Sequence, residues 1–213
     1  MTDPSTAAGA IVVGGTGRVA VDPDVADLRL GIAVARPTVE AARAAAAEAM
    51  ATVLAAVAAA GVERRDVRTT LLSVQPRYDY RDGKAPALTG YDLANVVEVT
   101  VRDLGHLGAV VDGALTAGAT SLDGLAFRVD EPGEAERAAR IAAVAEARAR
   151  AEVLAEAGGV ALGAVTNIVE GGPPPVWPQP KAARMSLAAD AGTPVEAGTT
   201  EIAVTVTVTF AIR

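Results

Sequence analysis

The chain has no cysteine, which excludes disulfides, thiolate metal ligands and a cysteine nucleophile. Its single histidine, His106, rules out a multi-histidine metal site and leaves one imidazole as a possible base. That residue falls in the first turn of a predicted helix with no serine placed to act as a nucleophile, so a surface structural role is expected. Six aromatics, Tyr78, Tyr80, Tyr91, Phe127, Trp177 and Phe210, are too scattered to form a base-stacking platform. Basic residues are in deficit: 19 Lys and Arg stand against 26 Asp and Glu, for a net charge of -7. This balance opposes attraction to a phosphate backbone, and nucleic acid is not an expected partner. No cofactor is expected either.

The opening MTDPSTAAGAIVV lacks both the basic flank and the run of about 7–15 apolar residues that a secretory signal needs. A cytoplasmic chain is therefore expected as the sequence stands, with a removed leader and an envelope location as the alternative. No uninterrupted apolar run reaches the roughly 18 residues of a membrane helix. The richest segment carries Glu40, Arg43 and Glu48, so no membrane span is expected.

What the chain does have is apolar content, 51% over 213 residues, enough to bury a sizeable core. Residues 11–21 and 28–34 alternate as strands, separated by Pro23-Asp24, and read as a hairpin. Thr38 is a plausible N-cap for an alanine-rich helix over 38–60 with Gly61 behind it. A strand over 67–80 follows, and then the polar stretch 81–90.

The second half predicts a strand over 91–101, a shorter helix capped by Asp103 and ending near Gly118, and a strand over 122–129. A long helix then runs from Pro132 to about Glu156, its buried stripe predicted as the Arg137 stem, Ile141, Val144, Ala147, Ala151 and Leu154. Beyond a strand near 162–169 lies a long Pro-rich loop, 171–198, and the chain closes on a strand that alternates Ile202, Val204, Val206, Val208, Phe210 and Ile212 with a threonine face. The order implies an α+β fold of mixed or antiparallel sheets packed with two long alanine-rich helices and one shorter one. A flexible 1–10 would precede one domain over 11–213, with 11–88 and 89–213 as possible sub-units.

Gly15-Thr16-Gly17-Arg18-Val19-Ala20 matches the loose dinucleotide pattern, but strand and turn follow it where a helix N-terminus should sit, and a twisted or bulged strand is the reading preferred here. The acidic clusters Asp22/Asp24/Asp27 and Asp79/Asp82 are explained most simply by turns and caps. Arg77-Tyr78-Asp79-Tyr80-Arg81 sets two tyrosines on one strand face; cross-strand packing is the plain explanation and a contact surface the sharper one. Trp177, between Pro175 and Pro178, is either an anchor for a partner pocket or folded onto its own domain.

Several short pieces occur in a fixed order along the chain: Ile11-x-Val13-x-Gly15-x-Gly17, Pro23-Asp24-x-Ala26, Pro76-x-Tyr78-x-Tyr80 and Gly90-Tyr91-x-x-x-Asn95. Then come Asp103-Leu104, Gly118-Ala119, the long Ala/Arg-rich helix, Leu162-Gly163, Pro194-Val195 and Gly198. In this the chain resembles the SIMPL domain family, domain of unknown function 541, over nearly all of 11–212. The resemblance implies an α+β domain, frequent assembly into rings or channel-like oligomers, no established enzymatic activity and no catalytic residue to carry over. It also implies relatives at the periplasm or cell surface, some linked to oxidative stress.

The leading expectation is thus a non-enzymatic protein that oligomerises with itself or binds another protein. Its candidate contacts are Trp177, Tyr78, Tyr80, Arg77 and the terminal strand, taken as a pairing edge. The alternative is a small-ligand binder, or a hydrolase using paired carboxylates in a groove between the two halves, with convergent polar groups of perturbed pKa. A third reading, stress-related chaperoning, needs exposed apolar surface.

Overall fold

The computed structural model describes residues 9–80, 85–171 and 195–213. In chain order the elements are β1 (Ala10–Val21), β2 (Val25–Arg36), α1 (Val39–Ala59), a 3-10 turn (Arg64–Asp66), β3 (Val67–Asp79) and β4 (Ala87–Val101). They continue with a second 3-10 turn (Leu104–His106), α2 (Leu107–Thr116), β5 (Ser121–Arg128), α3 (Gly133–Gly158), β6 (Leu162–Glu170) and β7 (Thr200–Ile212). The fold is α+β, and every strand pair is antiparallel. The described residues divide into two compact units, 9–22, 131–171 and 199–213 in one and 23–80, 85–130 and 195–198 in the other. Residue 88 lies inside β4.

The first unit is a three-stranded sheet, ordered β1-β7-β6, with α3 on one face. Val13, Val206, Val208 and Phe210 are its apolar core on the sheet side. Facing them is a stripe at every fourth position of α3, Ala139, Ala143, Ala147, Ala151 and Ala155, all buried. The expected stripe holds at Ala147 and Ala151, with Val144 partly buried, and fails at Arg137, Ile141 and Leu154. Ile141 and Leu154 are exposed, because the helix backbone comes so close to β1 that only a methyl fits between. A Cβ on Gly15 would collide with the backbone of Ala143 and Ala147, and one on Gly17 with that of Ala139 and Ala143. The Gly-x-Gly of β1 is therefore a seat for a helix. Gly159, at φ 66, ends α3 in the left-handed conformation.

The second unit is a four-stranded sheet ordered β3-β4-β2-β5, with α1 packed on β2 and β4 and α2 beside α1. Thr38 Oγ1 accepts from the Ala41 amide at 3.2 Å, starting α1. By length and composition α1 could cross a membrane. Here its stripe Ala42, Ala46, Met50, Val53 and Val57 joins Leu28, Leu30, Ile32, Leu93, Val97 and Val99 in the core of this unit. Burying each of the larger side chains contributes roughly 1.5–3 kcal/mol.

Two expectations are corrected. β1 and β2 are not a hairpin: β1 pairs with β7 along Ala10–Val21, while β2 pairs with β4 and β5. The linking Asp22-Pro23-Asp24 contains no glycine or asparagine to take the positive φ of a tight hairpin turn. The terminal strand β7 is not an edge either, since it lies between β1 and β6. Alternation reveals the two faces of a strand; its lateral neighbours come from distant parts of the chain.

A candidate interaction edge on strand β3

Sheet edges are where a fold can pair with another chain; the edge strands are β1 and β6 in one sheet and β3 and β5 in the other, and the 9-residue β6 exposes Val165, Ile168 and Val169. On β1, side chains of α3 occupy backbone groups: Glu146 Oε2 accepts from the Thr16 amide at 2.5 Å, and Arg150 Nη1 donates to the Gly14 carbonyl at 2.9 Å. Strand β5 has 8 residues and is bulged between Asp123 and Leu125, which pair with Arg29 and Leu28 of β2. Strand β3 has 13 residues and, among the described residues, pairs on one side only, with β4. Register shifts at Thr69/Leu71 and at Arg77/Tyr78 leave the regular run Leu71–Arg77 between them.

That run, Leu71-Leu72-Ser73-Val74-Gln75-Pro76-Arg77, is largely exposed and carries three large apolar side chains. Leu72 is 68% exposed, Leu71 47% and Val74 39%. Leu72 and Val74 stand opposite Asn95 and Leu93 of β4, on the face that α1 covers only over the two inner strands. Asn95 Oδ1 is a buried side-chain acceptor without a hydrogen-bond partner. Past the second bulge, the Tyr78 and Tyr80 rings lie 6.3 Å apart at 57°, a tilted pair. Tyr80 is 76% exposed, and Leu88, opposite Tyr78 on β4, is exposed too. Arg77 Nη1 approaches Asp92 Oδ1 at 3.9 Å, both side chains being half in water.

Three of the four predicted contact residues, Arg77, Tyr78 and Tyr80, are thus gathered at one end of β3. Trp177, Arg81 and Asp82 lie outside the described residues. Sequence reasoning passed over Leu71, Leu72, Val74 and Leu88. The available signal was Leu71-Leu72: two adjacent leucines in a strand put one on each face, and an outer strand has too little cover for both.

Asp24 and Asp27, of the first acidic cluster, are built into structure. Asp24 Oδ1 accepts from the Asp130 amide at 2.8 Å. Asp27 accepts from Arg128 at 2.7 Å and from Thr100 at 2.5 Å. Burial pulls the Asp27 pKa up, but the bonds from Arg128 and Thr100 together hold it below the ordinary carboxylate value. The chain of pairs continues through Arg128–Asp130, Asp130–Arg102 and Arg102–Asp66. Hydrogen bonds from Arg128 and Arg102 lower Asp130 in the same direction. A carboxylate held ionised by two donors is a structural tie, the reverse of what a general acid requires. His106 Nδ1 sits 3.0 Å from Asp103 Oδ2 on the surface. Among the described residues, no three His, Asp or Glu side chains converge as metal ligands.

The SIMPL family, described as a protein of unknown function (DUF541), matches residues 11–210. The chain belongs to this family. The SIMPL chain is 37% identical over 212 residues to the 26 kDa periplasmic immunogenic protein of Brucella melitensis, an alignment covering 95% of this chain and 84% of that one. It is 34% identical over 158 residues to the uncharacterized protein YggE of Escherichia coli, covering 74% of this chain and 64% of that one. A YggE of Edwardsiella ictaluri is 30% identical over 159 residues, with 74% and 66% covered. In this SIMPL chain Pro76 and Tyr78 lie at the exposed end of β3, with Tyr80 just beyond it, and Gly15-x-Gly17 is the seat of α3.

Proposed function

We propose that this chain is a non-catalytic assembly protein that associates with further copies of itself through the free edge of β3. The observation that carries this reading is the 13-residue strand, paired on one side only, with Leu71, Leu72 and Val74 exposed along its regular run. Two such strands from two copies can pair antiparallel about a two-fold axis, joining unpaired backbone groups and burying both sets of leucines. Tyr78, Tyr80 and Arg77 are of the types that anchor interfaces, and they flank the pairing run. An envelope location is part of the same proposal; the likeness to a periplasmic protein of Brucella supports it.

Light scattering after size exclusion tests this. The wild type should give a discrete multiple of 21.4 kDa, and Leu72→Lys should return the mass to 21.4 kDa with an unchanged circular dichroism spectrum. A wild-type monomer, or a Leu72→Lys protein of unchanged mass, overturns it.

A further inference from the structure

Where α1 lies over β2 and β4 but stops short of β3, a groove of about 510 Å³ runs between the helix and the outer strand. This falls within the range of small-ligand sites, about 300–1,000 Å³. Its lining is apolar: Leu54 and Val57 from α1, Val62 from the turn beyond it, Val67 from β3 and Val97 from β4. The α1 wall is made of Ala55 and Ala58, whose single methyls leave the space open. Thr69 of β3 adds a hydroxyl, and Arg64 is the one charged residue of the lining.

The pairing around Arg64 makes that charge informative. In the run Glu63-Arg64-Arg65-Asp66, Glu63 is bound by Arg65 at 2.9 Å and Asp66 by Arg102 at 2.9 Å. Both acids of the turn are thereby taken, and among the described residues no hydrogen bond or ion pair forms on the Arg64 side chain. In a chain of net charge -7, Arg64 is thus a cation without a partner among the described residues, beside an apolar trough. The complementary ligand is an amphiphile with an anionic head, whose planar carboxylate suits the two-pronged guanidinium.

We propose that this groove binds a free single-chain alkyl carboxylate, the chain lying along Leu54, Val57, Val62 and Val67 and the head group on Arg64. The inference does not depend on self-association through β3. The test is calorimetric titration of the full chain with dodecanoate below its micelle concentration, with dodecanol as the neutral comparison. Saturable binding of one dodecanoate per chain is expected. Arg64→Gln should weaken dodecanoate about tenfold and leave dodecanol unchanged, the loss of one charge-assisted contact. Ala58→Phe, which fills the groove from an exposed helix position, should abolish binding of both; Ala55→Leu on the same wall serves if that variant melts early. No saturable heat, equal dodecanoate affinity in Arg64→Gln, or binding only to phosphatidylglycerol vesicles would each overturn the proposal.

Discussion

At the residue scale, the glycines of β1 show how one missing methyl decides a packing distance. Gly17 faces the Ala139 carbonyl and the Ala143 amide so closely that a Cβ meets backbone, which cannot rotate aside. Gly17→Ala should therefore lower the unfolding free energy by about 1–3 kcal/mol, the usual cost of overpacking. Gly113, inside α2, has nothing within 4 Å of a built Cβ. Gly113→Ala should instead stabilise by roughly 0.5–1 kcal/mol, because alanine loses less backbone freedom in a helix. Chemical denaturation of the two variants reads out both signs, and equal effects would show that α3 does not sit on Gly17 as described. Sequence alone made Gly15-x-Gly17 legible as strand; the reason for the glycines lay in Ala139 and Ala143, more than 100 residues away.

At the scale of the element, α3 was legible in its length and its ends and misread in its facing. The apolar residues Ile141 and Leu154 attract a sequence-based assignment to the core, since larger side chains usually bury more area. Close approach to a glycine-bearing strand reverses that preference, and the alanine ridge goes inward. Ile141→Ser should change stability by no more than about 0.5 kcal/mol, as at other surface positions. Ala147→Leu, at a buried position beside Gly15, should cost about 1–3 kcal/mol. Thermal melts of the pair decide it; a large loss in Ile141→Ser would restore the expected stripe. β3 presents the complementary case, where the strand itself was predicted and its position at an edge was not.

For the whole molecule, the sign of the charge network sets the response to acid. Asp27 carries a lowered pKa in the folded chain, from Arg128 and Thr100 working against burial. Its stabilisation is therefore full above the unfolded value of about 3.9 and is lost as pH falls through the lower folded value. Asp27→Asn should cost about 1–2 kcal/mol at pH 7. In urea unfolding the gap between the two proteins should narrow as pH falls below about 3.9, where the unfolded carboxyl takes up its proton before the folded one; a gap independent of pH would remove Asp27 from the acid response.

The sequence by itself determined the α+β class, the position of nearly every helix and strand, the cap at Thr38 and the family, because periodicity, capping and motif order are properties of neighbouring residues. The tertiary structure alone decided which strands lie beside one another: β7 between β1 and β6, β1 apart from β2, and β3 on the outside. Strand neighbours are chosen by long-range hydrogen bonding and by what each helix can cover, and α1 covers β2 and β4 but not β3. The exposed edge, and the groove carrying the unpaired Arg64, both arise from that incomplete cover.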